Sequence, residues 1–410
     1  MKIGICGLGK VGLPIALALA VHGGHEVTGY DISTRPWDIL DGKLDPPMEA
    51  GIGELLAADH RIARAASPGA LAASSDLVII AVPTPHPDGM GGDTSFRLDK
   101  LRDFDYTMLA DAAGAVCHAA KVQEKLITVQ VLSTVLPGTM RRLILPLGNE
   151  YTRIVYSPAF ISLGTTIADF SWPPFVICGT EPGHAGWTDV RMMYGSFDPQ
   201  DYPPPFYRMS TESAEVAKMA YNMLGSVHIE FANMVQQMCH GTGADCDAVT
   251  GILDFAPQGV RAGLPDGGPC RPRDLAALTW LSGKLDMASD LPHSILLARE
   301  SHAIWLAVRI RAEARKRKLP VVLMGTQYKP ETDLEDGSPA LLLKHYLDRY
   351  PQDCTVMQPD GAMPDYPAVY VITVRLPEAG QRDFPPGSVV FDPWGITARH
   401  DIEVIRPGRL

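Results

Sequence analysis

The N-terminal stretch KIGICGLGKVGLPIALALAVHGG, Lys2 to Gly24, decides the fold. It begins with a short apolar run that ends in a glycine-rich turn, and it continues with the apolar density of a helix packed on a sheet. Gly7, Gly9 and Gly12 give the spacing G-x-G-x-x-G between strand and helix. The first glycine permits a tight turn, the second lets the backbone approach a pyrophosphate, and the third allows close helix–strand packing. The stretch therefore predicts a strand–helix unit that binds a dinucleotide.

A second strand, predicted by HEVTGYD, ends in Asp31, nineteen residues after Gly12. A carboxylate at this place accepts hydrogen bonds from both ribose hydroxyls and repels a 2′-phosphate, so we expect NAD rather than NADP as the cofactor. Two alternatives stay open at this point. Asp31 can instead cap the end of its strand, and Arg35 can lie either near the adenosine phosphates or on the surface.

Strands and helices continue to alternate along the first half of the chain. Three further apolar runs carry the strands: DLVIIAVPTP (76–85), LITVQVLSTVLPGT (126–139) and TRIVYSPAF (152–160). This alternation indicates a parallel, doubly wound sheet, in which ligands bind beyond the carboxyl ends of the strands. Thr84, Ser133 and Thr134 fall there and are candidate ligand contacts, although helix capping or turn formation explains the three hydroxyls equally well.

Composition narrows the class of protein. The chain has 410 residues, 46% hydrophobic and 20% charged, which fits a soluble protein of two or three domains. A formal net charge of −11 argues against general nucleic-acid binding. No apolar run reaches the ~20 residues that span a bilayer, and the N-terminus does not resemble a signal peptide. Seven cysteines without paired spacing indicate reduced thiols in a cytoplasmic protein, and the scattered histidines predict no metal site.

The second half of the chain predicts long helices and another sheet. The segment from Ser210 to Gly241 reads as one helix, on which Lys218 and Asn222 project from the same face. The spacing alone leaves open whether that face is solvated or directed into a site. Four short apolar runs after residue 318 predict the second sheet: LPVVLMG, CTVMQPDG, YPAVYVITV and SVVFDPWGI. The basic run at 309–318 is interpreted as the solvated C-terminal end of a helix.

Six motifs stand in one order along the chain: G-x-G-x-x-G, Val-Pro-Thr-Pro, Ser-Thr-Val-x-Pro-Gly-Thr, Pro-x-Phe-x-x-x-Gly, Lys-x-x-x-Asn and Gly-Gly-x-Cys-x-Pro-x-Asp. A later QYKPETDLEDGSPALL continues the series. Over nearly the whole chain this order resembles the UDP-glucose/GDP-mannose dehydrogenases. The resemblance implies an α/β fold of two Rossmann-like doubly wound domains joined by long central helices, and a homodimer.

The resemblance also implies a division of the chain, with proline-rich joints at 198–207 and 318–322. Residues 1–207 would form an NAD-binding Rossmann domain. Residues 208–318 would form a helical dimerisation region that carries a cysteine turn, and residues 319–410 would form a Rossmann-like domain for the nucleotide part of the substrate. The implied partner is a small nucleotide sugar, with neither nucleic acid nor membrane involved.

Site residues follow from the resemblance, position by position. The implied cofactor contacts are Gly7, Gly9, Lys10, Val11, Gly12, Asp31, Arg35, Val82, Pro83, Thr84, Ser133 and Arg273. The implied substrate contacts are Phe160, Ile161, Lys218, Asn222, Gly267, Gly268, Arg271 and Lys329. The implied catalytic residues are Cys270, Lys218, Asn222, Asp274 and Thr134. Lys329 would reach the substrate phosphates, and a surface lysine remains the alternative.

By the same resemblance Cys270 is the nucleophile of a two-step oxidation of a primary alcohol to an acid. Its thiolate traps the intermediate aldehyde as a thiohemiacetal, which is oxidised to a thioester and then hydrolysed. Lys218, Arg271 or Arg273 would supply the positive charge that such a thiolate needs. Lys218 and Asn222 would hold the catalytic water and the developing oxyanion, and Asp274 would assist proton transfer.

The chain departs from the family pattern at five positions. Ala159 stands where the family has the glutamate that assists thioester hydrolysis, and Leu163 stands for a second glutamate near the nicotinamide. Asp336 replaces an arginine directed at the cofactor, Arg273 replaces a lysine, and Arg271 replaces an aromatic residue.

Because a methyl group cannot move a proton, four interpretations stay open. In the first, another group such as Asp274 performs the hydrolysis slowly through water. In the second, the substrate differs and brings its own groups or charge to Arg271. In the third, oxidation stops at an aldehyde or ketone, and in the fourth the protein binds NAD without catalysis.

Overall fold

The computed structural model describes residues 1–96, 98–197, 203–253, 262–287, 290–349, 353–358, 360–399 and 401–408. The chain divides into two compact units. The first unit comprises Met1–Pro85 and Phe104–Ala220, and the second comprises His86–Asp103 and Tyr221–Leu410. Each unit is built around one sheet.

The first unit contains an eight-stranded sheet. Its strands are β1 (Lys2–Cys6), β2 (Glu26–Tyr30), β3 (Ala63–Arg64), β4 (Leu77–Ile80), β5 (Ile127–Val131), β6 (Thr152–Tyr156), β7 (Val176–Gly179) and β8 (Phe206–Met209). They lie in the order β3-β2-β1-β4-β5-β6-β7-β8, and only the pair β6–β7 is antiparallel. The first six strands have the order of a doubly wound dinucleotide-binding sheet.

Helices follow most strands of this sheet. They are α1 (Gly12–Val21), α2 (Arg35–Leu40), α3 (Ile52–Ala57), α4 (Pro68–Ser74), α5 (Thr107–Val122), α6 (Thr166–Ser171) and α7 (Gly186–Gly195). Helix α8 (Thr211–Thr242) begins in the first unit and continues into the second. Ile3 and Ile5 of β1 are fully buried together with Ile15 and Leu17 of α1, because a parallel strand covered on both faces must be apolar throughout.

The second unit carries a five-stranded parallel sheet with the order β10-β9-β11-β12-β13. Its elements are α9 (Cys246–Leu253), α10 (Arg271–Lys284), α11 (Leu291–Arg317), β9 (Val321–Met324), α12 (Pro339–Leu347), β10 (Cys354–Met357), β11 (Val369–Val371), β12 (Val389–Phe391) and β13 (Glu403–Ile405). Leu306 and Ile310 of α11 pack in one buried cluster with Val321 of β9 and Leu343 of α12. This strand order is the second common doubly wound arrangement.

The predicted fold class is confirmed: two doubly wound α/β sheets occur, with long helices between them along the chain. Every predicted strand is present, whereas β3, β7, β8 and β13 were not predicted. The predicted boundary at 207/208 falls inside β8, which pairs with β7. This four-residue strand was not predicted because the three prolines before it are typical of a linker. Along the sequence, the last boundary between the two units falls between Ala220 and Tyr221, and the second unit is not divided near residue 318, so the division into three domains remains a prediction.

One detail of the basic run at 309–318 differs from the expectation. Arg311 is buried, and its guanidinium donates to the carbonyl oxygen of Leu347 at the end of α12. Of the three basic residues in the last turn, Arg315 and Lys316 are exposed as expected, whereas Arg317 is half-buried and pairs with Glu313. None of the helices in the described ranges combines the length and the apolar character that a bilayer crossing requires.

Candidate functional site

The glycine turn after β1 has the geometry that its sequence predicts. Gly7 has φ +95°, and a β-carbon on Gly12 would lie 1.8 Å from Gly7 O, so only glycine allows α1 to start this close to the strand. A β-carbon on Gly9 would meet no atom of the described residues within 4 Å, its two chain neighbours apart. The side of the turn at Gly9 is therefore open to a ligand, next to the N-terminus of α1.

Asp31 follows β2 and is engaged by the backbone. Asp31 Oδ2 accepts a hydrogen bond from Leu8 N (2.6 Å), and Oδ1 accepts one from Ser33 N (2.7 Å). The alternative interpretation as a strand-end cap is thus realised. Each oxygen keeps a further lone pair, so the ribose contact is compatible with this role and stays a prediction.

The loops that follow β4 and β5 are tied together by two of the predicted hydroxyl residues. Ser133 Oγ donates to Val82 O (2.6 Å), and Thr84 Oγ1 donates to Thr134 O (2.8 Å). Because a hydroxyl has one proton, these two side chains can only accept hydrogen bonds from a ligand. Turn formation is therefore the observed role of Ser133 and Thr84, and ligand contact remains a prediction.

Lys218 lies on α8 within the first unit and is buried, so a solvated face is the wrong interpretation for this residue. Its Nζ donates to Ala159 O (2.9 Å) and lies 4.7 Å from the centroid of the Phe160 ring. The Phe160 ring contacts that of Phe175, with 4.8 Å between centroids. The ammonium group therefore faces the main chain of the residue at which the resemblance leads one to expect a glutamate.

In the second unit, the glycine pair before Cys270 is packed between two loops. A β-carbon on Gly267 would lie 2.5 Å from Pro339 Cδ, and one on Gly268 would lie 3.0 Å from Tyr328 Cδ2. Gly268 also has φ +101°, so neither position accepts a side chain. Cys270 is half-buried and directly precedes α10, and the positive end of the helix dipole at this place favours negative charge.

Three of the predicted residues meet where α8 faces α10. Asn222 Nδ2 donates to Asp274 Oδ2 (2.7 Å), and Arg273 Nε lies 3.3 Å from Asp274 Oδ1. Asp274 is 1% exposed, so its carboxylate is compensated inside the protein rather than by bulk water. The structure thus brings Asn222, Arg273 and Asp274 together one turn after Cys270.

A charged cluster that the sequence did not predict underlies this turn. Arg271 Nε lies 3.1 Å from Asp266 Oδ1, while Asp266 N donates to Glu230 Oε1 (2.8 Å) and Arg299 Nε donates to Asp266 O (2.5 Å). Burial, together with the charge of Asp266, raises the pKa of Glu230 to about 7. Burial also lowers the pKa of Arg299. The signal in the sequence is a polar residue every three or four positions along α8: Asn222, Ser226, Glu230 and Asn233.

None of the seven cysteines, all of which the structure describes, forms a disulfide. Burial raises the pKa of Cys6 and Cys178 to about 12 and that of Cys117 and Cys354 to about 11. Only Cys270 and Cys354 are half-buried rather than buried, and Cys354 lies on a strand of the second sheet. Among the described residues, no group of three His, Cys, Asp or Glu side chains is arranged to hold a metal ion.

For the remaining predicted contacts, the structure gives the exposure of each side chain and few specific partners. Lys10, Arg35 and Pro83 are exposed, and Val11, Val82 and Ile161 are half-buried. Lys329 Nζ lies 3.9 Å from Glu331 Oε2. In the sequence, Lys329 follows Tyr328, whose ring packs against the glycine pair at Gly268. These positions neither support nor oppose their predicted roles.

The strand order of the first sheet and its open glycine turn define a Rossmann-type dinucleotide-binding protein. Residues 1–198 match the family model for the NAD binding domain of the UDP-glucose/GDP-mannose dehydrogenase family, and residues 212–299 match that for its central domain. GDP-mannose 6-dehydrogenase of Pseudomonas putida is 27% identical over 390 residues, which cover 89% of this chain and 84% of the relative.

Two further relatives agree. UDP-glucose 6-dehydrogenase of Bacillus subtilis is 27% identical, with 85% of this chain and 77% of the relative covered. The solved structure of a UDP-glucose dehydrogenase from the archaeon Pyrobaculum islandicum superposes with a TM-score of 0.85 over 100% of this chain and 97% of that chain, at 22% identity. At that identity the structural likeness shows the fold alone. The chain belongs to the UDP-glucose/GDP-mannose dehydrogenase family and is an NAD-dependent dehydrogenase that acts on CH–OH donors.

Proposed function

We propose that the protein oxidises the primary alcohol of a nucleotide sugar, of the UDP-hexose type, towards the uronic acid through covalent intermediates on Cys270. The observation that carries this proposal is the hydrogen bond between Asn222 and Asp274, at the start of the helix that Cys270 precedes. Residues that the resemblance assigned to one reaction are more than fifty positions apart in the sequence and meet in the fold. The activities of the two curated relatives support the substrate class.

The first unit fits NAD as the cofactor. The open side at Gly9 and the N-terminus of α1 would hold the pyrophosphate, and the free lone pairs of Asp31 would accept the ribose hydroxyls. Ser133 and Thr84 would act as acceptors only, because their protons are committed to main-chain carbonyls. When bound, NAD supplies the hydride acceptor for the oxidations.

Cys270 would act as nucleophile once the alcohol has become an aldehyde. The thiolate adds to the carbonyl carbon, the carbonyl oxygen takes a proton, and the resulting thiohemiacetal loses a hydride and a proton to become a thioester. Negative charge on this sulfur is favoured by the start of α10 and by Arg271 and Arg273 in the first turn. The second N–H of Asn222 Nδ2, which Asp274 does not take, would stabilise an oxyanion, and Lys218 and Thr134 keep their predicted catalytic roles.

Hydrolysis of the thioester is the step for which the chain lacks the expected base. Ala159 offers only its carbonyl oxygen, which already accepts from Lys218, and Leu163 carries no ionisable group. Both oxygens of Asp274 already face protein partners, Arg273 at Oδ1 and Asn222 at Oδ2. These observations favour a slow last step. They equally favour a second candidate function, a two-electron dehydrogenase of a different nucleotide or sugar substrate that releases an aldehyde or ketone.

The second unit would bind the nucleotide part of the substrate, with Lys329 directed at its phosphates. This role is supported by the position of Tyr328, whose ring packs on Gly268, two residues before Cys270, and so keeps the neighbouring lysine near that turn. Phe160, Ile161, Gly267 and Gly268 keep their predicted substrate contacts.

A homodimer built on α8 is part of the proposal. In the second unit this helix buries polar residues and exposes apolar ones, the reverse of a helix on a monomer surface. The exposed apolar side chains recur every three to seven residues: Tyr221, Leu224, Phe231, Met234 and Met238. An apolar stripe of this length matches the same stripe on a second copy, which is the self-complementary arrangement of a two-fold interface.

One experiment separates the candidates. The protein is mixed with NAD and one of UDP-glucose, GDP-mannose or a related nucleotide sugar, and NADH is counted by absorbance against substrate consumed by chromatography. The proposed oxidation to the acid yields about two NADH per substrate, and the two-electron alternative yields about one. No NADH with any nucleotide sugar would refute the proposed oxidation, and no NADH with nucleotides and free sugars either would refute the two-electron alternative.

A further inference from the structure

Asp266, directly before the glycine pair, has a carboxylate inside the protein. Its side chain has no exposed surface, and neither oxygen accepts a hydrogen bond from the described residues. Arg271 Nε lies 3.1 Å from Oδ1, and the fully buried guanidinium of Arg299 interacts electrostatically with the same carboxylate. A buried charge is tolerated only where an opposite charge faces it, so the Asp266–Arg271 pair is fixed by the cost of separating it.

The main chain of Asp266 is held as firmly as its side chain. Glu230 on α8 accepts the N–H of Asp266 at 2.8 Å, and Arg299 on α11 donates to its carbonyl oxygen at 2.5 Å. Asn233 Oδ1 accepts the N–H of Gly263 at 3.2 Å in the same segment. Side chains of two helices thus replace the strand or helix that would otherwise order this segment, and Asp266 provides a rigid anchor for its partner.

Arg271 is directed along the side of α8 that carries Asn222. Its Nη1 would lie 3.3 Å from a β-carbon on Gly225, three residues after Asn222, so the absent side chain at Gly225 makes room for the guanidinium. Arg271 and Asp274 are likewise three residues apart on α10. Residues three apart share a helical face, which places the guanidinium about one turn from the Asn222–Asp274 hydrogen bond.

The two terminal nitrogens of this guanidinium, Nη1 and Nη2, can donate hydrogen bonds to a ligand. Nε faces Asp266, the side chain is one-third exposed (34%), and Nη1 and Nη2 donate to none of the described residues. A cation in the first turn of a helix is unfavourable for the helix dipole, so its presence beside Cys270 calls for a reason other than helix stability. The two Nη groups form the planar fork that binds carboxylates and phosphates.

We propose that Arg271 binds an oxyanion group of the nucleotide sugar and that Asp266 is the positioning residue that holds it there. The group is either the diphosphate of the substrate or the carboxylate formed at the reacting carbon. The proposal rests on the proposed function for the identity of the ligand, and it concerns binding rather than turnover.

The effect of Asp266→Asn discriminates between positioning and bulk charge. The variant removes a negative charge near the site. If only the local charge mattered, an anionic ligand would bind more tightly; if Asp266 positions Arg271, the ligand binds more weakly. We expect the Kd of UDP-glucuronate, which carries both the diphosphate and the carboxylate, to rise about fivefold or more when measured by calorimetry, with the Kd of NAD unchanged. Asp348→Asn, which breaks the exposed Lys344–Asp348 pair on α12, is the charge-matched control and leaves both constants unchanged.

Arg271→Gln should raise the same Kd about tenfold or more, and the double variant with Asp266→Asn should bind no more weakly than Arg271→Gln alone, because both changes remove one interaction. Arg271→Lys keeps the charge without the fork and should be nearly as weak as Arg271→Gln. Should Asp266→Asn fail to fold, as judged by thermal denaturation, the two Arg271 variants still test the proposal. Unchanged or tighter binding in Asp266→Asn and Arg271→Gln would overturn it.

Comparing UDP-glucose with UDP-glucuronate identifies the group. An equal loss of affinity for both ligands in Arg271→Gln assigns the diphosphate, and a loss confined to UDP-glucuronate assigns the carboxylate. Both outcomes support the proposal. Because these are binding measurements, an enzyme that binds UDP-glucose through Arg271 but forms no NADH would refute the proposed function and leave this inference standing.

Discussion

Asn222 Nδ2 and Asp274 Oδ2 lie 2.7 Å apart, so an amide of α8 and a buried carboxylate of α10 are joined directly behind Cys270. The pair orients the Asn222 amide, whose remaining N–H is the proposed oxyanion donor. Asp274→Asn would let this amide rotate and would leave Arg273 without its nearest carboxylate. We expect kcat to fall about 10²-fold with the Kd of NAD unchanged, since one oriented donor is worth about that much. Steady-state kinetics with fluorescence titration of NADH measure both, and a fully active variant would contradict the role.

Asp31 should set the choice between NAD and NADP. Replacing it by Ala removes the carboxylate that repels a 2′-phosphate, an effect of about a few kcal/mol at partly buried distance. The same change releases Leu8 N and Ser33 N, so we also expect a lower melting temperature. Asp31→Asn is the matched control, because it keeps acceptor oxygen while losing charge. Comparable affinity for NAD and NADP in the unsubstituted protein would contradict the assignment.

The glycine turn was predictable because its geometry is local: Gly7, Gly9 and Gly12 act within one strand–helix unit. The Asp266–Arg271 pair was not, because four residues separate the two, and the pairing depends on a turn in which Gly268 has φ +101°. The strand β8 was missed for a related reason. Its pairing with β7 comes from the sheet, whereas its sequence begins after three prolines and resembles a linker.

The apolar stripe on α8 predicts the oligomeric state. Phe231→Glu places a charge in the middle of the exposed stripe, where pairing with a second copy would bury it without a partner. We expect the variant to elute as a monomer in size-exclusion chromatography with light scattering. Val122→Glu changes an exposed apolar residue at the end of α5, outside the stripe, and should leave the dimer intact. A dimer that survives Phe231→Glu would place the interface elsewhere.

Glu230 should make stability depend on pH. Its pKa is raised from 4.5 to about 7 mainly by burial, so between these values the unfolded chain is ionised while the folded protein keeps the proton. Stability from this group is complete below pH 4.5, falls as the pH rises, and is reduced by about 3 kcal/mol above pH 7. The Glu230→Gln variant has no ionisable group at this position, so its stability does not decrease for this reason as the pH rises. Its melting temperature relative to the unsubstituted protein should therefore increase from pH 5 to pH 8 in calorimetry, and a constant difference would contradict the assignment.

The fate of Cys270 during turnover tests the central claim most directly. Because Ala159 provides no base, the thioester should form faster than it breaks down, and intact-protein mass spectrometry after mixing with NAD and nucleotide sugar should show an acyl adduct. Peptide mapping should place it on Cys270, with Cys354, the other half-buried thiol, unmodified as the internal control. Cys270→Ser should give neither adduct nor acid, and Ala159→Glu should restore a base and clear the adduct about 10²-fold faster. Acid formation by Cys270→Ser would contradict the covalent route, and one NADH per substrate with no adduct would establish the two-electron alternative.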